Sequence, residues 1–200
     1  MDRRQDRGQA TRDQLVTEAT RLFAERGFDA TSVEAVLDAA GVSRGSLYHH
    51  FKSKDALFEA VLDAEEARIG EATLTAALGA GDDPLDVLRA GALEWIRLAG
   101  DPTVQRIVLI DAPAVLGWER WREIEEQNAL GNLRAALQAV SDVGRLDAGL
   151  VDPFAHILLA SINELALVVA RADDTAAAQA RAEVAVDELL TRLLAKRPTS

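Results

Sequence analysis

Two short helices separated by a glycine, within residues 31–51, constrain the fold of this chain more than any other feature. In "TSVEAVLDAAGVSRGSLYHHF", Thr31 is placed to cap a helix while Glu34 reaches back in a capping box. The apolar positions that follow at helical spacing are Val33, Val36, Leu37 and Ala40. The helix stops at Gly41, and Ser43 offers another N-cap two residues later. Helices joined by so tight a turn must cross steeply, so the pattern predicts a helix-turn-helix unit.

Helix signals recur along the rest of the chain and strand signals do not. Before the unit, Leu15, Ala19, Leu22 and Phe23 share one face and Gly27 ends the helix; after it, Ser53 caps a fourth helix. Asp precedes Pro in "DDPLDVL", "GDPTVQRIVLI" and "LVDPFAHILLA", which predicts three further helix starts. The predicted helices after the unit are 53–79, 84–99, 102–110, 114–143, 153–172 and 175–196. The fold class predicted is all-α.

Charge divides the chain into two parts. Residues 1–58 contain nine Lys or Arg and nine Asp or Glu, whereas residues 59–200 contain 13 and 24, so the whole formal charge of -11 lies in the second part. Only the first part could approach a polyanion without strong repulsion. We therefore predict a helix-turn-helix DNA-binding domain at 1–58, ordered from about residue 10, and a second helical domain at 59–200.

The second helix of the unit carries groups that can bind DNA, because such a helix enters the major groove. With Leu47 and Phe51 directed to the core, the outward residues are Arg44, Gly45, Ser46, Tyr48 and His49. An arginine can donate two hydrogen bonds to guanine, a serine can contact a base edge, and tyrosine and histidine can contact phosphates. At the caps of the flanking helices, phosphate contacts are predicted for Thr31, Ser32 and Lys54.

Residues 12–62 resemble the N-terminal domain of TetR-family transcriptional regulators. In "LFAERGFDATSVEAVLDAAGVSRGSLYHHFKSKDALFEAVL" the glycine, capping serine, tyrosine, phenylalanine and lysine fall at the family's spacing. The resemblance implies an all-helical, dimeric regulator whose C-terminal domain binds an effector. It places at the major groove Ser43, Arg44, Gly45 and Ser46. It assigns backbone contacts to Tyr48, His49, Lys54, Thr31 and Ser32.

The C-terminal part is predicted to form a homodimer and to bind a small molecule. Its last two helices carry broad apolar faces, and the predicted interface consists of Phe154, Leu158, Ser161, Leu165, Val186, Leu189, Leu190 and Leu193. A two-fold protein suits a palindromic operator in double-stranded DNA. Tryptophan side chains beside a carboxylate suggest an apolar pocket, and the predicted effector residues are Trp95, Asp111, Trp118, His156 and Asn163. Trp121 is expected to anchor helices.

Other classes of protein fit the sequence less well. The three histidines, His49, His50 and His156, share no ligand spacing in the body of the chain, cysteine is absent, and Glu125 with Glu126 resembles a solvated helix face. No catalysis, metal or cofactor is therefore expected. The alternative function is an all-helical adaptor that binds protein through the same hairpin. Without a run of about 18 apolar residues, we expect no membrane segment and a cytoplasmic protein.

Overall fold

The computed structural model describes the backbone of residues 3–194, with side chains from Gly8 onward. The helices are α1 (Arg3–Arg26), α2 (Val33–Ala40), α3 (Arg44–His50), α4 (Lys54–Gly79), α5 (Pro84–Leu98), α6 (Pro102–Val104), α7 (Ala112–Leu116), α8 (Trp118–Asp142), α9 (Val151–Ala170) and α10 (Thr175–Leu194). A π-helical segment, Gln105–Asp111, joins α6 to α7, and a 3-10 turn, Ala148–Leu150, precedes α9. The described residues contain no strand, which confirms the all-α prediction. The predicted end of the last helix, at 196, lies outside the described residues.

The described chain forms two compact units. The first contains the residues up to Glu66 together with Pro102–Gly117, and the second contains Ala67–Asp101 and the chain from Trp118 onward. Helix α4 therefore contributes to both units. The functional division after residue 58 stays a prediction, and the structure adds that the segment 102–117 packs with the N-terminal helices.

The first unit is built around buried residues of α1, α2, α3 and the start of α4. The predicted stripe of α1 is buried, as are Leu47, Phe51, Leu57 and Phe58. Phe58 packs edge-on against Phe23 and Phe28, with ring centroids 5.3 and 5.1 Å apart. Two glycines end helices in the left-handed region, Gly27 at φ 82° and Gly41 at φ 63°. The predicted turn of the helix-turn-helix is confirmed.

Some predicted helix boundaries are wrong. Ser32, not Thr31, caps α2, because its side chain accepts from the amide of Ala35. Helix α9 begins at Val151, so Asp152 lies inside its first turn instead of capping it. The helix predicted over 102–110 passes into the π-helical segment, where the amide of Ala112 donates to the carbonyl of Ile107. Pro113 follows and has no amide hydrogen to continue the regular pattern.

The second unit is a helical bundle in which α9 contacts α5, α8 and α10. Asp83 caps α5 through the amide of Leu85 and holds Arg145 with two hydrogen bonds of 2.8 Å. The hydrogen bond from Arg145 lowers the pKa of Asp83 below its ordinary value. By length and composition, the helical segment Ala148–Ala170 could cross a membrane, a test that core helices of helical bundles also pass, and 44% of its apolar stretch is buried.

Candidate functional site

The exposed face of α3 forms the candidate site. The helix starts where the side chain of Ser43 accepts from the amide of Ser46, and it is anchored by Leu47, which is fully buried. Tyr48 and His49 are exposed, Ser46 is half-buried, and His50 is turned partly toward Gly8 of α1. Around Gly45 a side chain would meet only the hydroxyl of Ser43, at 4.0 Å. The backbone at Gly45 is therefore open to close approach from outside.

Arg44 begins this face, and its guanidinium forms an ion pair with Glu34 of α2. Both side chains are 59% exposed. The capping box predicted for Glu34 is thus replaced by a contact between the two helices of the unit. A capping box can be recognised from residues three apart in the sequence. The ion pair between Glu34 and Arg44 depends instead on how α2 and α3 cross, which the sequence does not show directly.

Thr31 is not accessible to a phosphate, contrary to the prediction. Its side chain is fully buried, and its hydroxyl donates to the carbonyls of Gly27, at 2.8 Å, and Leu22, at 3.2 Å. Its amide donates to the carbonyl of Phe28. Ser32, the next residue, is exposed and caps α2, so it keeps its predicted role as a candidate phosphate contact.

Lys54 is half-buried and holds the loop between α1 and α2. Its ammonium donates to the carbonyls of Phe28, at 2.7 Å, and Thr31, at 3.1 Å, and lies 3.9 Å from the centroid of the Phe28 ring. An ammonium has three donors, so a phosphate contact stays a prediction for this residue. The structure gives Lys54 a structural function that the sequence did not reveal.

Asp111 holds the same loop through the peptide unit before that of the Phe28 carbonyl. Its buried carboxylate accepts from the amide of Phe28 at 2.7 Å and from the guanidinium of Arg106 at 3.2 Å. The Arg106 guanidinium also covers Gly27, where an added Cβ would lie 1.8 Å from it. Asp111 belongs to the first unit, whereas the other predicted effector residues belong to the second. Its effector role stays a prediction beside this structural one.

In the second unit, a buried polar chain connects two of the predicted effector residues. The indole of Trp95 donates to the side-chain oxygen of Asn163 at 3.0 Å, and the amide of Asn163 donates to Glu125. Glu125 and Asn163 are both buried. The prediction of a solvated face is wrong for Glu125, although its neighbour Glu126 is half-exposed and pairs with Arg122. The sequence held one signal for this burial, because Glu125 follows the fully buried Trp121 by four residues.

The remaining predicted effector residues do not join this chain. The imidazole of His156 is exposed and lies 3.5 Å from the guanidinium of Arg134, so it does not share the buried environment of Asn163. Trp118 is 53% exposed and its ring lies 4.8 Å from that of Trp121. Trp121 is fully buried, in keeping with the anchoring role predicted for it.

The predicted dimer face divides into core and surface residues. Leu158, Val186 and Leu190 are fully buried within the single chain, so they cannot contact a partner as predicted. The half-buried members are Phe154, Ser161, Leu165, Leu189 and Leu193. Beside them, Ile157, Val168 and Val184 are large apolar residues exposed on α9 and α10, and the predicted interface omitted them. Apolar residues recur at helical spacing on the buried and on the exposed sides of these helices. The spacing alone therefore does not separate core residues from interface residues.

A capped helix-turn-helix with an exposed polar second helix defines a DNA-binding protein of the helix-turn-helix class. Two family profiles match the chain: "Bacterial regulatory proteins, tetR family" over residues 15–61, and "Tetracyclin repressor-like, C-terminal domain" over residues 85–193. The second match alone covers more than half of the chain. The chain therefore belongs to the TetR family of transcriptional regulators.

Curated relatives and solved structures agree with this assignment. The regulator AcrR of Shigella flexneri is 42% identical over 81 residues, 40% of this chain and 38% of that protein. The regulator TcmR of Streptomyces glaucescens is 34% identical over 146 residues, 68% of this chain and 64% of its own length. The chain thus spans less than two thirds of these curated relatives. A TetR-family regulator from Pectobacterium atrosepticum has a similar structure, with a TM-score of 0.84, 28% identity, and coverage of 99% of this chain and 100% of that one.

The contacts of Asp111 predict a structural effect of its removal. Asp111→Ala should lower the free energy of unfolding by about 1–3 kcal/mol, because the half-buried amide of Phe28 loses its acceptor. Asp111→Asn keeps an oxygen for that amide and should recover part of the loss. Chemical denaturation of the three proteins measures the effect, and Asp142→Ala at an exposed position is the matched control. Unfolding curves that coincide for Asp111→Ala and the control would contradict the structural role.

Proposed function

We propose that this protein is a homodimeric cytoplasmic repressor that binds a palindromic operator through α3 and leaves it when a small molecule binds the second unit. The observation that carries the proposal is the exposed face of α3, on a helix fixed by the Ser43 cap and by buried Leu47. The family assignment supports DNA binding and disfavours the adaptor alternative. KstR2 of Mycolicibacterium smegmatis, 53% identical over 51 residues, 26% of this chain and 25% of that protein, is named a transcriptional repressor.

The DNA contacts that we propose come from α3 and the helix starts beside it. Arg44 at the first turn reads guanine, Ser46 contacts a base edge, and Gly45 lets the backbone approach the groove. Ser43 lies at the same helix start, and contacts to the phosphate backbone fall to Tyr48, His49, Ser32 and the third donor of Lys54. The balanced charge of residues 1–58 permits this approach, whereas the acidic second part would be repelled by DNA.

The dimer that we propose forms through the exposed apolar sides of α9 and α10. Ile157 and Val168 lie on one face of α9, eleven residues apart, and Val184 of α10 is 66% exposed. The half-buried residues Phe154, Leu165 and Leu189 border these positions on the same helices. Contact with a second copy would remove this apolar surface from water. It would also supply two copies of α3 to the two half-sites of the operator.

The effector site that we propose includes the chain Trp95–Asn163–Glu125. Polar groups buried in a helical bundle are costly unless they are paired. A ligand that offers a partner to this carboxylate or this amide can therefore take the place of their contact with each other. An apolar molecule with a hydrogen-bond donor or a positive charge could exchange for the contact between Asn163 and Glu125. Binding would stabilise a conformation in which the two copies of α3 no longer match a spacing of about 34–36 Å.

Arg44→Ala tests the DNA-reading role. We expect the affinity for operator to fall by about 1–3 kcal/mol and the preference at one base pair of each half-site to relax, because a bidentate contact to guanine is lost. The operator is first obtained by selecting duplexes from a random pool with the wild-type protein. Binding is then measured by fluorescence anisotropy on this duplex and on single-base variants. The matched control is Arg21→Ala, an exposed arginine of α1 paired with Glu18 and Glu25. Unchanged base preference in Arg44→Ala would remove its reading role.

Charge on the exposed apolar face tests the dimer. The double variant Ile157→Glu with Val184→Glu should be a monomer that retains its helical content, because each glutamate would be buried without a partner in the interface. Operator binding should fall with it, since one half-site supplies too few contacts. Sedimentation velocity gives the assembly state. Leu78→Glu, at an apolar position that is 73% exposed, is the control and should leave it unchanged. A double variant that remains a dimer would place the interface elsewhere.

Asn163→Ala tests the effector site. Compounds of the proposed class are first screened for those that release wild-type protein from the selected duplex. For these, Asn163→Ala should bind the duplex normally in the absence of compound but require about tenfold more compound for release, because a hydrogen bond to the ligand is lost. Asn128→Ala, at an exposed position of α8, is the control. Thermal unfolding verifies that both variants are folded. Release curves of Asn163→Ala that coincide with those of the control would exclude the site.

A further inference from the structure

The N-terminal half of α1 lies beside the C-terminal end of α3, and two contacts one helical turn apart on α1 define this junction. A Cβ added to Gly8 would lie 4.0 Å from the imidazole of His50. Four residues further along α1, the guanidinium of Arg12 lies over the ring of Phe51, with its carbon 5.4 Å from the ring centroid. Phe51 is buried and ends α3, where its amide donates to the carbonyl of Leu47. Arg12 is therefore held at the end of the proposed DNA-binding helix.

The charge of Arg12 is not paired with a carboxylate, unlike the charges of Arg21 and Arg44 in the same unit. Among the described residues, its guanidinium takes part in no hydrogen bond or ion pair and contacts only the aromatic ring. The residues three and four positions away on α1 are glutamine, glycine, leucine and valine, so the helix itself offers no carboxylate at pairing distance. The adjacent Asp13 accepts from Gln9 instead, at 2.7 Å.

The aromatic contact leaves the hydrogen-bonding capacity of Arg12 unused. A guanidinium has five N–H donors in one plane, whereas a ring attracts its charge and offers no ordinary acceptor. The ring of Phe51 therefore fixes the position of the guanidinium without occupying its donors. Because Arg12 is half-buried, part of its side chain is accessible from solvent. A phosphate oxygen can accept from these donors while the guanidinium stays on the ring.

The end of α3 at which Arg12 lies is the end that suits a phosphate contact. A recognition helix enters the major groove with its N-terminal residues at the base edges, and its C-terminal end comes close to the sugar-phosphate backbone. Lys52, the residue after Phe51, is exposed and adds a second cation at this end. A phosphate bound here would hold α3 at the end remote from Arg44.

We propose that Arg12 is a further DNA contact of this protein, which donates to a phosphate beside the C-terminal end of α3 and so fixes the position of that helix in the groove. Phe51 positions the guanidinium for this contact. Phosphates are present on every duplex, so the contact adds affinity and carries no base preference. The inference rests on the proposed function, since it requires that α3 bind DNA.

Arg12→Met tests the contact, because methionine keeps an unbranched apolar side chain beside Phe51 and removes the charge and the donors. Binding is measured by fluorescence anisotropy, over a range of salt concentrations, on the duplex selected from the random pool and on a scrambled duplex of the same composition. Arg12→Met should bind both duplexes about tenfold more weakly, with an unchanged ratio of affinities. The slope of log affinity against log salt should fall by about two for a dimer, because each subunit loses one phosphate contact.

Three further variants separate a phosphate contact from a general effect of charge or of folding. Arg12→Lys keeps the charge and should recover much of the affinity. Arg26→Met removes the same charge from an exposed position of α1, about 21 Å further along the helix axis. Screening beyond about 10 Å should keep its effect on both affinities below about twofold. Arg12→Gln repeats the comparison should Arg12→Met prove unfolded by circular dichroism.

The outcomes distinguish the role of Arg12 from operator binding itself. Affinities and salt slopes of Arg12→Met that match those of Arg26→Met overturn the contact and leave operator binding standing. A loss of affinity with an unchanged salt slope, and without recovery in Arg12→Lys, also overturns it, since Arg12 would then act only through the fold. A wild type that enriches no sequence from the pool overturns both the inference and the proposed function.

Discussion

The backbone of Phe28 is held by two charges at once, and the position of the helix-turn-helix depends on that arrangement. Asp111 accepts from its amide, and Lys54 donates to its carbonyl. These side chains come from segments far from Phe28 in sequence, and the loop that they fix leads directly into α2. Because α2 and α3 are joined by a short turn, an error in the loop would be passed to the exposed face of α3. The aromatic contacts of Phe28 with Phe23 and Phe58 add a packed support.

This arrangement shows structural roles of Lys54 and Asp111 that residue type alone did not reveal. A lysine at a helix start and a carboxylate near tryptophans are suitable partners for a phosphate and for a ligand. They are equally suitable partners for a carbonyl and an amide of the chain itself. The choice depends on which group lies within about 3 Å in the folded state. Such a distance between Asp111 and Phe28 has no trace in local sequence.

Features that depend on a few neighbouring residues were predicted well. The Ser43 cap, the glycine turns at Gly27 and Gly41, and the Asp83 start of α5 each rest on one residue and its nearest amides. The errors arise where two neighbouring residues could fill the same role, or where the contacting residue is far away in the sequence. Thr31 and Ser32 are neighbours that both carry a hydroxyl. Thr31 is the buried one, because its hydroxyl donates to two carbonyls, and Ser32 is left to cap α2. For Leu158 and Val186, periodicity showed that a face is apolar but not what covers it.

Within the N-terminal segment of balanced charge, two arginines form ion pairs with glutamates of the same segment. Arg21 is held by Glu18 and Glu25, and Arg44 is held by Glu34. Cations that are already paired inside the unit contribute less to attraction by phosphates, which is the part of DNA binding that ignores sequence. For the proposed function, the pairing of these two arginines would reduce the part of DNA binding that ignores sequence and leave more of the affinity to contacts that fit one sequence. The exposed face of α3, with a glycine in place of a side chain at Gly45, is the surface through which such a fit can be made.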